Sequence, residues 1–534
     1  MVSYLLLASL ILFICIFFNK ISSKIGLPIL FSFIILGMLF GVDGIFKIKF
    51  DNYEFTEQIA SFALIIIMFY GGFGTKWKEA KPVATQAILL SSFGTIITAF
   101  LVGIFCHFCL KIKPVESLLI GSVICSTDAA SVFAILRAKK LNFKYNTASL
   151  LELESGSNDP FSYMLTIVCI TLMNQDITAK TILVLLTKQL FFGLLFGLLV
   201  AVIALYIFNK TKLVSNGFES IFMVACALLS YSISQYFGGN GFLSTYLAGI
   251  IIGNSIDSRR QQLVHFFDST TNLMQIILFF FLGLLSTPSK IPPVIIPGVL
   301  ITLFLTFIAR PLAVFLLLTP FKSHLRQQLI VAWSGLRGAA SIAFAILIIL
   351  NKVNAENDIF HIIFVIVLCS IFFQGSLIPF FSKKLKMIDK DFDVMRTFND
   401  YTEEVPITYI STTVTAYHPW ANQLIKDIVL PPQTLILMIV RNKEKLIAKG
   451  NTELLENDII ILSGNTVSNS LDINLYEKNL KKNDSWVGKY IKDIDSKDEL
   501  IVIIKRNDKL IIPKGNIMFK EKDTVVICNS DSLS

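Results

Sequence analysis

The chain has 534 residues, is 54% hydrophobic with 46 Phe, and carries a formal net charge of +9. Its mean hydropathy is +0.68. A soluble domain of this size has no use for so much apolar surface, so composition excludes an ordinary soluble enzyme, and runs of about 20 apolar residues mark membrane spans.

Thirteen such segments follow in chain order, near 2–18, 26–45, 56–75, 84–110, 117–138, 146–174, 179–208, 217–237, 240–255, 271–286, 292–319, 324–350 and 357–382. The ninth and tenth are short. The first lacks a basic leader and a small-residue cleavage site before Phe17-Phe18-Asn19-Lys20, and is expected to be a span, not a signal peptide. With the N-terminus outside, the inner loops hold 15 Lys and Arg and the outer loops 7. The positive-inside rule selects that orientation and leaves the C-terminal tail in the cytoplasm of a multi-pass cell (inner) membrane protein. From residue 383 onward 22 basic residues balance 22 acidic ones, so the +9 belongs to the membrane part. It is a topology signal, not a nucleic-acid footprint. Seven of the eight Cys lie in or beside spans without metal-ligand spacing and read as small apolar residues.

The fifth segment is interrupted by Ser126-Thr127-Asp128-Ala129-Ala130-Ser131. An unwound stretch there presents carbonyl oxygens beside the Asp128 carboxylate. The sixth contains Glu152, Glu154, Ser155, Asn158, Asp159 and Pro160. Ser155, Asp159 and Ser162 share a helix face, with Glu154 and Asn158 flanking it. Were the helix to begin at Phe161, Asp159 would only cap it. The apolar run Phe161 to Met173 is too short for a bilayer core of ~30 Å, so the span must take in the acids. Pro160 is expected to break the preceding turn and free carbonyls near Gly156. Hard oxygen donors of this kind suit an alkali cation, and an intramembrane carboxylate is kept for a use.

Segment eleven carries Arg310 before Pro311, a buried cation to which the sequence assigns no partner. Segment twelve carries Gly335-Leu336-Arg337-Gly338-Ala339-Ala340-Ser341. Arg337 at that depth needs a carboxylate, and Glu154 is the expected partner. Segments five and twelve are thus two interrupted spans with an Ala-Ala-Ser match, seven spans apart, and point to inverted repeats with two broken, crossing helices around a midplane site.

A polar linker, 383–404, leads to a soluble α+β tail. Strands are expected at Leu435 to Val440, Ile459 to Leu462, Leu500 to Ile504 and Thr524 to Ile527. Trp420-Ala-Asn-Gln-Leu-Ile-Lys-Asp-Ile428 is echoed by Trp486-Val-Gly-Lys-Tyr-Ile-Lys-Asp-Ile494. Arg441-Asn442, Lys449-Gly450-Asn451 and Asp458 recur 65 residues later as Arg506-Asn507, Lys514-Gly515-Asn516 and Asp523. The tail is a duplication, 405–470 and 476–530. Its pattern of short helix, strand ending in Arg, Lys-Gly turn and Asp turn resembles the TrkA-C (RCK C-terminal) domain.

Residues 1–382 resemble the monovalent cation:proton antiporter-1 family, the NhaP-type exchangers. The likeness rests on Ser126 to Ala130, Glu154 to Pro160 and Gly335 to Ala339, with support from Gly239 to Gly249 and Met274 to Leu284. The added TrkA-C-like tail resembles the potassium/proton branch. The resemblance implies that Asp159 takes the cation or the proton, that Thr127, Asp128 and Ser155 line the site, and that Arg337 pairs with Glu154. It implies electroneutral exchange, because Asn158 stands where an electrogenic relative has a second acid. Tyr70 departs from the pattern: it stands where relatives carry an acid, so any ligand from that helix is in doubt.

The function so implied is secondary antiport of a monovalent cation, K+ favoured and Na+ the alternative, against H+. Asp159 and Asp128 hold the transported ion. No enzymatic step, resident cofactor or nucleic acid is called for. A homodimer in the bilayer is expected, with a small cytoplasmic ligand such as a nucleotide on the tail. A ligand-gated cation channel is the rival from another class, disfavoured by the lack of a Thr-Val-Gly-Tyr-Gly-like filter.

Overall fold

The computed structural model describes residues 9–17, 28–128, 131–132, 135–136, 141–175, 178–210, 217–256, 260–389, 407–415, 418–431, 434–441, 444–465, 475–480, 484–494, 499–506, 509–511 and 513–529. Most of the expected linker lies outside them, as do residues 2–8 and 18 of the first segment. The chain divides into two units, Met1–Thr402 and Glu403–Ser534.

The first unit is helical. The helices used below are α1 (Ile29–Phe40), α2 (Tyr53–Gly74), α3 (Thr95–Leu110), α4 (Pro114–Ile124), α5 (Thr147–Asn174), α6 (Ala179–Lys210), α7 (Glu219–Tyr236), α8 (Gly241–Gly253), α9 (Arg260–Leu285), α10 (Pro292–Phe304), α11 (Arg310–Leu318), α12 (Leu325–Trp333), α13 (Ala339–Leu350), α14 (Ile359–Cys369) and α15 (Ser376–Lys384). Among the described residues, six helical stretches are long and apolar enough to cross a membrane: Tyr53–Gly74, Lys81–Leu110, Ala179–Lys210, Arg260–Leu285, Pro292–Phe321 and Ile359–Lys384. Their outward faces keep side chains such as Leu198, Val202, Phe307 and Phe373 exposed, where lipid replaces water as the surrounding solvent. Close packing inside uses small residues. A Cβ on Gly249 or Gly253 of α8 would run into the backbone of α2 at Phe69 and Phe73.

Three helices contain a wider π turn, at Leu90–Gly94, Leu305–Ala309 and Ser370–Gly375. Two of them adjoin the buried arginines. The turn before Arg310 keeps Leu305/Thr306, Ala309/Arg310 and Ala313/Val314 on the buried side, while Phe307, Ile308 and Leu312 face outward. π turns of this kind gather at functional sites.

Two sequence expectations are corrected here. Segment six is not broken at Pro160: α5 is one helix of 28 residues with Pro160 inside it. The Pro160 carbonyl also accepts from Asn240 Nδ2 at 2.8 Å, which ties α5 to the start of α8. Segment ten begins at Arg260, not near 271, and its first turns carry Asp268.

The second unit has strands β1 (Ile407–Thr413), β2 (Leu435–Arg441), β3 (Glu444–Ile447), β4 (Ile459–Asn465), β5 (Leu475–Asn479), β6 (Glu499–Arg506), β7 (Lys509–Ile511) and β8 (Thr524–Asn529). They form two four-stranded antiparallel sheets of one topology, β1–β4–β2–β3 and β5–β8–β6–β7. Each sheet closes its own small core, around Ile439 and Ile460 or Ile504 and Val525. Arg441 grips Asp458 through Nε and Nη2 at 2.8 and 2.7 Å, and Arg506 grips Asp523 at 2.7 and 2.6 Å. The expected short helix is only a 3-10 turn in each copy, Ile425–Asp427 and Ile491–Asp493. Its neighbouring amides are drawn across the loop instead, Lys426 N to Gly450 O and Lys492 N to Gly515 O.

Candidate cation-exchange site

Two interrupted helices meet at the heart of the first unit. After α4 the chain leaves helical conformation over Cys125–Asp128, and between α12 and α13 it does so over Ser334–Gly338. The two stretches join directly: Asp128 N donates to Leu336 O at 2.8 Å. Breaking a helix inside an apolar environment leaves unpaired carbonyls on one side and unpaired amides on the other. Each is met by a charge. Arg337 Nη1 donates to Cys125 O at 2.7 Å and Ser126 O at 2.5 Å, placing a cation at the carbonyl end of α4. Asp128 accepts from Ser131 N at 3.2 Å and Ser131 Oγ at 2.5 Å, placing an anion at the amide end of the helical turn that follows. Arg337 is itself anchored by its N–H to Ser370 Oγ at 2.9 Å, in the π turn of the neighbouring helix.

Glu154 does not pair with Arg337. Its carboxylate forms an ion pair with Arg310 Nη2 at 2.6 Å, with side-chain exposures of 0% and 3%. The sequence expectation is corrected in both halves, since Arg310 has a partner and Arg337 directs its Nη1 to two backbone carbonyls. The physical reason is register: the π turn at 305–309 brings Arg310 to the buried side, and the carbonyls ending α4 lie within reach of Arg337.

Asp159 is the thirteenth residue of α5, about 18 Å along it at 1.5 Å per residue, so it is no cap. It is 8% exposed and lines a cavity of about 110 Å³. Ser126, Thr127, Asp128, Ser155 and Gly338 share that wall. Thr127 Oγ1 lies 2.7 Å from Ser155 Oγ and accepts from Asn158 Nδ2 at 2.6 Å. Asn158 is therefore a positioning residue, buried and off the cavity wall, whereas Ser155 and Thr127 present oxygens to it. Gly338 has no room for a side chain, because a Cβ there would collide with the Asp128 carboxylate.

The opposite wall holds residues that the sequence reading missed. Asp268, Thr271, Asn272 and Gln275 of α9 and Glu152 of α5 all line the cavity. Tyr70 OH donates to Asp268 Oδ1 at 3.3 Å, so the wall where α2 offers a phenol gains its acid from α9. Asp268, Thr271, Asn272 and Gln275 are spaced i, i+3, i+4, i+7, a polar helix face that was legible. Thr75 Oγ1 holds Glu152 at 3.2 Å. Four carboxylates thus converge on a space with room for several waters or a partly hydrated small cation. Hard oxygen donors and negative charge make this a place for an alkali cation, and carboxylates there can exchange it for a proton.

Comparison with known proteins follows this geometry. Residues 9–384 match the family described as sodium/hydrogen exchanger, transmembrane, and residues 410–468 and 475–534 each match the TrkA-C domain. The K(+)/H(+) antiporter NhaP of Alkalimonas amylolytica is 33% identical over 463 residues, covering 86% of this chain and 80% of that protein. The K(+)/H(+) antiporter NhaP2 of Shewanella oneidensis is 31% identical over 487 residues, 89% and 83% of the two chains. Among solved structures, the sodium proton antiporter MjNhaP1 from Methanocaldococcus jannaschii at pH 8 superposes with a TM-score of 0.62 at 24% identity, over 70% of this chain and 98% of that one, a likeness of fold.

Proposed function

This chain belongs to the sodium/hydrogen exchanger family, and on that premise we propose that it exchanges K+ for H+ across the cell membrane, one for one, at Asp159. The carrying observation is the placement of Asp159 midway along an unbroken helix, on a cavity to which the first interrupted stretch brings Ser126, Thr127 and Asp128 and the second brings Gly338. A carboxylate that holds either a proton or a cation, but not both, couples the two fluxes by competition, and alternating access moves the loaded site. Asp128, Thr127 and Ser155 complete the cation's shell, and Asn158 fixes Thr127. Asp268 is an added acid on the cavity wall. Arg310–Glu154 and Arg337 hold the broken helices in place.

The preference for K+ over Na+ rests on the two relatives named as K(+)/H(+) antiporters, which match over 463 and 487 residues, more than the membrane unit alone supplies. Thirteen spans related by inverted repeats, an exterior N-terminus and a cytoplasmic tail in the inner membrane follow from the segment count and the basic inner loops. Residues 1–382 then form the exchanger, 383–404 a linker, and 405–470 and 476–530 two regulatory TrkA-C-like units in a homodimer. The tail biases the two access states by its differential affinity for a small cytoplasmic ligand such as a nucleotide, and only by that amount.

Purified protein in vesicles tests the reading. K+ added to one side should drive H+ out of the other, without a membrane potential developing. Flux of K+ that needs no proton counter-movement would replace exchange with a channel, and a response to Na+ alone would overturn the K+ assignment. Truncation after Lys386 should leave exchange intact and change its ligand or pH dependence.

A further inference from the structure

A second cavity, of about 90 Å³, is lined by Glu57, Ser61, Tyr163, Tyr231, Gln235 and Phe242, with Leu64 and Phe344. The same helices line both cavities at successive levels. Along α2 the Asp159 cavity takes Leu64 to Gly71, and the second takes Glu57, Ser61 and Leu64. Along α5 the division falls between Asp159 and Tyr163, about 6 Å apart by helical rise. Along α13 it falls between Ala340 and Ala343. The cavities therefore lie end to end, with Leu64 in the wall of each, and the second sits on the side away from Asp268.

Its lining is polar in otherwise apolar helices. Ser61 Oγ donates to Glu57 Oε1 at 2.6 Å, and Gln235 Nε2 donates to Tyr163 OH at 2.9 Å and Tyr231 OH at 3.3 Å. Three rings of this lining pack on one another: Tyr163–Phe242 at 5.3 Å, Tyr163–Phe344 at 5.7 Å and Phe242–Phe344 at 6.1 Å between centroids, with Tyr163 one helical turn beyond Asp159 on α5. The Gln235–Tyr163 bond and the Phe242 ring contacts both tie α5 and α13, which carry the exchange site, to α7 and α8. They have to part for Asp159 to reach this side.

A polar network could serve stability alone, but such a role does not need a carboxylate in a cavity collinear with the exchange site. We propose that this cavity is a transit site for the monovalent cation on the far half of the exchange path, with Glu57 and the Tyr163, Tyr231 and Gln235 oxygens as donors, closed in this state by the Tyr163–Phe242–Phe344 cluster. The proposal rests on Asp159 being the exchange site.

The test uses full-length protein in oriented vesicles, with K+ supplied at one face at a time and H+ movement read by a pH dye. Glu57→Gln should raise the half-saturating K+ concentration at the Glu57 face by on the order of tenfold, and leave it unchanged at the Asp268 face. An equal change at both faces, or none, overturns the transit site. Should Glu57→Gln fail to fold, Ser61→Cys in a Cys109→Ser background substitutes: a membrane-impermeant thiol reagent should label it from the Glu57 face, faster under gradients that drive the site outward. Absence of labelling, or labelling from the other face, overturns the proposal. Asp159→Asn, run alongside, separates the two readings, because exchange retained there removes the premise itself.

Discussion

Arg310 and Glu154 face each other at 2.6 Å with side-chain exposures of 3% and 0%, while Arg337 donates to the carbonyls of Cys125 and Ser126 and not to Glu154. Stranding one member of a buried pair costs roughly 3–5 kcal/mol, far more than a well-packed apolar replacement of both. Arg310→Met should therefore lower thermal stability sharply, and Arg310→Met with Glu154→Leu should recover much of the loss. Combining Glu154→Leu with Arg337→Met should give no such recovery. A double-mutant cycle by thermal melting in detergent checks this, and coupling to Arg337 in place of Arg310 would refute the pairing.

Gly338 bears on the proposed cation site by steric exclusion. Gly338→Ala drives a methyl into the Asp128 carboxylate, which must turn away from the cavity or lose Ser131. The expected outcome is a rise of on the order of tenfold in half-saturating cation concentration, measured by cation-driven pH change in vesicles. Gly450→Ala, whose Cβ would meet Lys426 Cβ at an ordinary 3.5 Å, is the control and should match wild type.

The tail carries an acid-sensitive element. The Arg441 hydrogen bonds hold the Asp458 carboxyl below its usual range. At Asp523 burial pushes upward, and the Arg506 bonds overcome it, so that group is lowered as well. A carboxyl lowered in the folded state stabilises it fully above the unfolded value, about 3.9, and that contribution is lost as pH falls through the lower folded value. Asp458→Asn should thus destabilise the tail at neutral pH by about 1–3 kcal/mol, with the gap from wild type closing below about pH 4. Melting of full-length protein followed by a Trp signal from Trp420 and Trp486 tests it. A gap that widens in acid would contradict the assignment.

Much of this was readable in the chain. Polar and small residues at 126–131 and 335–341 marked the two interruptions, and the shortness of Phe161 to Met173 forced Asp159 into a helix. The duplicated Arg-Asp pairs of the tail were visible as a 65-residue repeat. The ion pair was not readable, because its choice between two arginines depends on a π turn that takes in one extra residue before Arg310, and side-chain identity carries no trace of that. Pro160 misled because a proline removes only one backbone hydrogen bond, and α5, packed on its neighbours, runs on through it as one helix. Asp268 was missed because the apolar window began past it, although its polar helix face was present. The edge strands Glu444–Ile447 and Lys509–Ile511 are too short to carry a periodic signal.

The account turns on one carboxylate. Asp159→Asn keeps the shape of the side chain and removes its ability to carry either a proton or an ionic contact to a cation. In vesicles loaded to a defined pH, K+ added outside should move protons through the wild type and through none of the Asp159→Asn protein, while both melt at similar temperatures. Cation-driven proton movement retained in a folded Asp159→Asn protein would contradict the assignment of Asp159 as the exchange site.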